Sequence, residues 1–226
     1  SIQKRGEIAM KNILKIMLMM ITIFTIAGSA VYAAEIPVSD QDQLITSRDW
    51  TEISNLQDEM KKEEPDATID YDKALKVYVD CNLIKLQTAD TKKLTSALES
   101  ANYVWVIPFK MEKTYGMFTV AKGLPLSEEA KSVLTKAEQE EVKNHAGKWM
   151  ITETAEHTVE PYYDILLEKR EALSDCTRVV LVGSQPGMRQ PVALGMDDET
   201  ARIWISLGYQ YPVMEKIPET QNVESG

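Results

Sequence analysis

Two histidines and two cysteines in 226 residues leave this chain little of the usual material of catalysis and metal binding. His145 closes an expected helix, where an imidazolium would meet the negative end of the helix dipole. His157 lies in the polar stretch 154–159 with Glu160 three residues on. That is not the H-E-x-x-H spacing of a zinc helix, and no second histidine shares its face. Neither Cys81 nor Cys176 belongs to a C-x-x-C pair, which excludes a thioredoxin-like redox motif. No G-K-[ST] phosphate loop is present. Gly183-Ser184-Gln185-Pro186-Gly187 departs from the G-x-S-x-G elbow, because Ser184 directly follows Gly183 and a strand rather than a helix comes next. The acidic runs near residues 63–66, 70–72 and 197–199 lack the central glycine and closing glutamate of a calcium loop. No cofactor and no metal are implied.

Positive charge is also in short supply: 25 basic against 35 acidic side chains give a formal −10 and a pI near 4.8. Such a surface repels phosphate backbones and anionic lipid heads, which argues against nucleic-acid and membrane-surface partners. Long apolar runs are missing with one exception, residues 16–27. Lys11 and Lys15 precede that run, and Gly28-Ser29-Ala30-Val31-Tyr32-Ala33 follows it. A charged start, a short apolar core and small residues two apart at the end make a secretory signal, with cleavage expected after Ala33. The run is shorter than the about 20 residues that a membrane span needs. Residues 1–9 read as a gene-boundary artefact, 10–33 as the signal peptide, 34–46 as an irregular lead-in, 47–212 as one α+β domain and 213–226 as a polar tail. Without the leader, 21 basic and 34 acidic side chains give −13 over about 190 residues, enough for one hydrophobic core.

What is present is a nearly complete pattern of elements. Asp49 with Glu52 three residues on suggests a capped helix with the stripe Trp50, Ile53, Leu56 and Met60. Leu75, Val77 and Val79 alternate with Lys76, Tyr78 and Asp80, a half-buried strand that competes with a helical reading of 71–83. Asp90 caps a helix carrying Leu94, Ala97, Leu98 and Ala101. Tyr103–Ile107, apolar on both faces and bounded by Pro108, reads as a central strand, with 115–121 as its hairpin partner. Ser127 opens the longest helix, 127–144, whose buried stripe would be Ala130, Val133, Leu134 and Ala137. A strand at 148–154, a helix opened by Pro161, and strands at 179–182, 191–196 and 201–207 complete the order. The fold class is α+β, a mixed or mainly antiparallel sheet with helices packed on one face.

The strings Ile69-Asp70-Tyr71-Asp72-Lys73-Ala74-Leu75-Lys76-Val77-Tyr78, Trp105-Val106-Ile107-Pro108 and Gly147-Lys148-Trp149 resemble phrases of uncharacterised secreted or lipoprotein-like proteins of Gram-positive bacteria. The resemblance covers most of residues 65–207, and this chain lacks the lipid-acceptor cysteine of the lipoprotein members. It implies a compartment and no activity.

The leading expectation is therefore a secreted, non-catalytic binding or accessory domain, with a protein, peptide or glycan outside the cell as partner and no stable membrane insertion after cleavage. Trp204, with Arg202 and Ser206 on its own face, and Arg189 in the 184–190 loop are the candidate ligand-binding residues. Trp105 and Trp149 read as core. Two alternatives stay open. One is a secreted hydrolase using Cys176 or Ser184 with His157. The other is a peptidase-inhibitor or immunity-type protein presenting the 184–190 loop. Cys81 and Cys176 could pair in an oxidising compartment, a link worth about 4–5 kcal/mol in the chain-entropy model, although a domain of this size does not need it.

Overall fold

Apolar side chains alternating along eight short segments build one twisted sheet, and the helices cover it where that alternation leaves both faces greasy. The computed structural model describes residues 36–86, 88–157, 160–183 and 190–207. The strands are β1 (Thr68–Ile69), β2 (Leu75–Tyr78), β3 (Tyr103–Lys110), β4 (Tyr115–Lys122), β5 (Trp149–His157), β6 (Arg178–Val182), β7 (Val192–Met196) and β8 (Ala201–Ser206). The helices are α1 (Trp50–Ile53), α2 (Gln57–Glu63), α3 (Leu83–Leu86), α4 (Thr91–Glu99), α5 (Glu128–Val133), α6 (Lys136–His145) and α7 (Tyr162–Glu168).

The sheet runs β5-β4-β3-β2-β6-β7-β8, with β1 paired to β3 beside β2. Every pairing is antiparallel except β2 with β6, where Val77 faces Leu181 and Tyr78 faces Val182. The α+β class and the mixed, mainly antiparallel sheet are thus as the alternation requires. One face carries Trp105, Ile107, Phe109, Phe118 and Val120 under Ile53 and Met60 of α1 and α2. Farther along that same face, Val180, Val182, Leu194 and Met196 lie under Leu94 and Leu98 of α4. The opposite face, with Leu75, Val77, Val179, Leu181, Ala193 and Ile205, is closed by Tyr162 and Leu166 of α7 and by Leu173. Helix packing on one face therefore describes α1, α2 and α4, and α7 adds cover to the other side. The hydrophobic gain is roughly 1.5–3 kcal/mol for each large side chain taken out of water.

Several local expectations change for identifiable reasons. Strand β2 is buried on both faces rather than half-buried, because it is central and aromatic rings cover the side that Lys76 and Tyr78 occupy. Asp49 does not cap α1 with its side chain: its carboxylate instead accepts hydrogen bonds from Tyr103 and Trp105. Strand β3 runs through Pro108 to Lys110. The carbonyl of Pro108 accepts from Asp70 N at 2.9 Å. Its missing N–H points to that same edge, where β1 is only two residues long, so the β3–β4 ladder is spared.

The expected long helix 127–144 is two helices. Ser127 caps α5 through Ala130 N, and the chain then extends at Leu134 and Thr135 before α6 begins. Thr135 and Glu138 form a reciprocal capping box. The predicted buried stripe is not buried: neither helix has a buried residue, and Val133 is 80% exposed. An apolar stripe makes burial available, but here no sheet face lies beneath it. Replacing Thr135 by Ala should cost α6 about 1 kcal/mol. The loss should show as faster amide exchange confined to α6, with the global unfolding midpoint unmoved because the helix buries nothing.

Residues 36–46, expected to belong to an irregular lead-in, hold a 3-10 turn at Asp40–Asp42 and are part of the fold. Below its two paired residues the β2–β6 junction splits, and this segment fills the gap. Val179 N donates to Pro37 O at 2.7 Å and Leu44 N to Ala74 O at 3.2 Å. Val38 bridges Val179 and Gln43 bridges Leu75. Ile36 and Leu44 are buried. Among the described residues, no helix is long and apolar enough to cross a membrane.

Candidate ligand-binding cleft

The strands β2, β3, β4 and β5 end or begin together at one rim of the sheet. Val79 N donates to Asn102 O at 2.9 Å, which fixes the entry to β3 against the exit from β2. On the neighbouring side Gly123 N donates to Lys148 O at 2.9 Å and Gly147 N to Gly123 O at 2.8 Å. Only glycine fits at 123, since a Cβ there would stand 2.1 Å from the His145 carbonyl oxygen. Between these two closures lies a cleft of about 440 Å³. Its walls include Tyr103, Val104 and Trp149 on the strands, Lys122, Leu124 and Pro125 leaving β4, and Asp80 with Asn102 at the β2 end.

The electrostatics are sparse and specific. Lys122 Nζ lies 5.5 Å from the Trp149 ring centre, a cation over an aromatic face. Its nearest ion-pair carboxylate, Glu52, stands at 4.0 Å. Asp80 is engaged by the side-chain amide of Asn102. The Trp149 indole N–H is buried without a hydrogen-bond partner.

Tyr103 links this cleft to a buried charge cluster. Its ring centre is 5.9 Å from that of Trp149, and its hydroxyl donates to Asp49 at 2.8 Å. Behind it Lys76 Nζ stands 4.6 Å from the Tyr103 ring, 5.2 Å from Trp105 and 5.8 Å from Tyr78. Asp42, 2% exposed, accepts from Arg178 Nη2 at 2.9 Å, from Tyr78 at 2.8 Å and from Ser39 at 2.6 Å, with Lys76 Nζ at 3.7 Å. Burial pulls the Lys76 ammonium below its usual range, against the opposing charges of Asp42 and Asp49. Burial also pushes the Tyr78 phenol well up, and the Asp42 charge adds to it. The cluster pins the 36–49 segment to the sheet and holds Tyr103 as a fixed wall of the cleft.

The residues singled out from sequence fall elsewhere. Cys176 is buried against Gly195 and Leu173, and burial with the charges of Asp175 and Asp197 raises its thiol pKa, the reverse of an activated nucleophile. His157 ends β5, and four inter-strand steps, roughly 19 Å, separate β5 from β6, whose start follows Cys176. The sheet does not bring the two together. Ser184 and Arg189, and with them residues 184–189 of the 184–190 loop, lie outside the described residues, as do the leader and the 213–226 tail. Cys81 packs with Leu83 and Leu94 beyond the end of β2, whereas Cys176 precedes β6 on the opposite face. β2 and β6 run parallel, so the two thiols sit at opposite ends of the sheet and no disulfide joins them. Trp204 is not an exposed platform. It is half-buried against the Leu194 and Met196 cluster, with its indole N–H unpartnered, and Arg202 beside it is paired to Asp197. Trp105 is wholly buried, and Trp149 is buried yet lines the cleft. Among the described residues, no group of three or more His, Cys, Asp or Glu is placed to hold a metal ion.

Sequence reasoning missed Lys76, Asp42, Asp49, Tyr103 and Lys122 as site-building residues. A signal existed for one of them: a lysine at the centre of an apolar strand flanked by tyrosine. Comparison of the chain with protein-family models, with curated proteins and with solved structures finds no match.

Titration gives access to the opposite face. Burial, and after it the charge of Glu153, raises the Tyr162 phenol to about 12. Its hydroxyl donates to Gln190 at 2.6 Å. A pKa raised in the fold means the fold holds the proton more tightly than the open chain does. This contribution to stability is therefore complete below the unfolded value near 10 and is lost as pH rises from about 10 to about 12. Ultraviolet titration of tyrosinate should show several late-ionising phenols in the native protein, Tyr78 among them, and one fewer in Tyr162→Phe.

Proposed function

We propose that this chain is an exported, non-catalytic binding domain that takes its ligand in the cleft between Tyr103, Lys122 and Trp149. The reading is carried by one observation: the cleft is walled by fixed aromatic and aliphatic side chains, with one cation at its edge. A concave, mostly apolar site with few polar groups suits a ligand held by stacking and oriented by charge. Among the described residues, no histidine or cysteine lines the cleft, and the Cys176 thiol is buried and disfavoured as an anion. Export rests on the leader pattern of residues 10–33, and the acidic surface keeps nucleic acid away.

The test is a titration read at the Trp149 indole N–H resonance in a ¹⁵N-labelled sample. Short peptides, oligosaccharides and small organic acids are added in turn. The expected result is a saturable shift of that resonance by one of these classes, together with shifts at Tyr103 and Leu124. Saturable shifts confined to other parts of the surface would contradict the site. Release of a hydrolysis product that His157→Ala abolishes would contradict the absence of chemistry.

A further inference from the structure

Between β4 and β5 the chain leaves the sheet for residues 124–146 and returns one strand over. This excursion holds α5 and α6, and neither contributes a buried residue. Short helices that bury nothing are marginal in water, so the excursion is not held in place by its own packing. Two of the four exposed large apolar side chains among the described residues, Leu124 at 59% and Val133 at 80%, belong to it. The two helices are braced to each other. Gln139 Nε2 donates to Lys131 O at 3.0 Å and to Leu134 O at 2.9 Å, and the Thr135–Glu138 box fixes the joint. They can therefore move as one body. Its base is narrow: the Gly123–Lys148 and Gly147–Gly123 backbone bonds form a clasp. Gly147 has φ +77 with open space around it. That base, Gly123, Leu124, Pro125 and Gly147, is itself one wall of the cleft.

We propose that the cleft takes an amphipathic organic anion and that the 124–146 arm closes over it. The inference rests on the cleft being the binding site. The apolar part of the ligand would lie against Tyr103 and Trp149, which share one face of the sheet. The anionic group would meet Lys122 in competition with the Glu52 carboxylate 4.0 Å from it, away from the β2 end of the cleft, where Asp80 keeps its charge under the hydrogen bond from Asn102. Closing brings Leu124 and the aliphatic side of α5 onto the ligand. This gives the exposed apolar residues a partner and gives the helices the packing that they lack. An apolar ligand therefore favours the closed arm through contacts absent from the open one, which is what a population shift requires.

The experiment uses the full chain with spin labels at Glu99→Cys, at the end of α4 beside the cleft, and at Ser132→Cys on α5. Cys81 and Cys176 are buried with raised thiol pKa values and should resist labelling. The probe is anilinonaphthalene sulfonate, an apolar ring system with one anionic group, and its occupancy is read by energy transfer from tryptophan. Lys122→Glu, which reverses the charge at the edge of the cleft and lies outside the 124–146 arm, is the control. The expected result is energy transfer in the wild-type cleft, its loss in Lys122→Glu, and a shorter inter-label distance when the probe is bound. Occupancy with an unchanged distance overturns the arm and leaves the cleft standing. Absent energy transfer, or transfer untouched by Lys122→Glu, overturns the cleft and the arm with it.

Discussion

Replacing Asp42 by Ala should cost about 3–5 kcal/mol, the loss expected when one partner of a buried ion pair is removed and the others stay behind. Asp42 is the acceptor for Arg178, Tyr78 and Ser39, and its carboxylate faces Lys76. In the alanine variant the Arg178 guanidinium, which already has an Nε without a partner, would have no carboxylate to meet. Domains of this size lose roughly 2–4 °C of melting temperature per kcal/mol, so a drop of about 6–20 °C is expected by calorimetry. Lys76→Met is the informative contrast. The lysine is buried at an energetic cost, visible in its lowered pKa, and methionine keeps the stem while Asp42 keeps Arg178. This variant should fall within about 1 kcal/mol of wild type or exceed it. Equal damage from the two substitutions would mean that Lys76, not Arg178, is the partner that matters.

Trp105→Ala should cost about 3–5 kcal/mol, the range for truncating a large buried ring. Trp105 has no solvent exposure, and its indole N–H donates to Asp49 at 3.1 Å. The alanine opens a cavity between α1 and β3, removes one of the two aromatic donors to a buried carboxylate, and strips one ring from around Lys76. Trp105→Phe retains most of the volume and loses the donor, so its smaller deficit in urea unfolding isolates the hydrogen bond at about 1.5–3 kcal/mol. The damage should also reach the cleft. Asp49 holds the Tyr103 hydroxyl, and a loosened Tyr103 would weaken ligand capture in a variant that still folds.

Much of the sheet could be read from the chain because strands declare themselves locally. The Leu75–Tyr78 and Val179–Val182 segments alternate or run apolar, and each became a strand. Asp90 and Ser127 cap helices because their side chains accept from Lys93 N and Ala130 N. The break at Thr135 was also legible in principle, since Thr135-x-x-Glu138 is a capping-box pattern, but a continuous apolar period across it suggested one helix. What stayed hidden depends on contacts distant in sequence. Ile36, Asp42 and Leu44 sit in a polar stretch with no period, and their burial follows from a gap between β2 and β6, two strands that are themselves distant in sequence. Lys76 sits where alternation gives a solvent face, and the face became interior when Tyr103 and Trp105 paired beside it. The cleft is made of strand ends and turns, none of which carries a motif, so neither Lys122 nor Trp149 could be recognised as a wall. The residues that looked chemical, Cys176 and His157, were conspicuous by type alone, and the strand order keeps them apart.

Native mass spectrometry of the protein recovered from the cells that make it addresses the central claim most directly. The expected result is a non-covalent adduct that is shed intact on denaturation, with its mass unchanged by any length of incubation, and that Lys122→Glu lacks. An adduct that is covalent, that is consumed on standing, or that Lys122→Glu keeps at wild-type occupancy would contradict binding without chemistry in the Tyr103–Trp149 cleft.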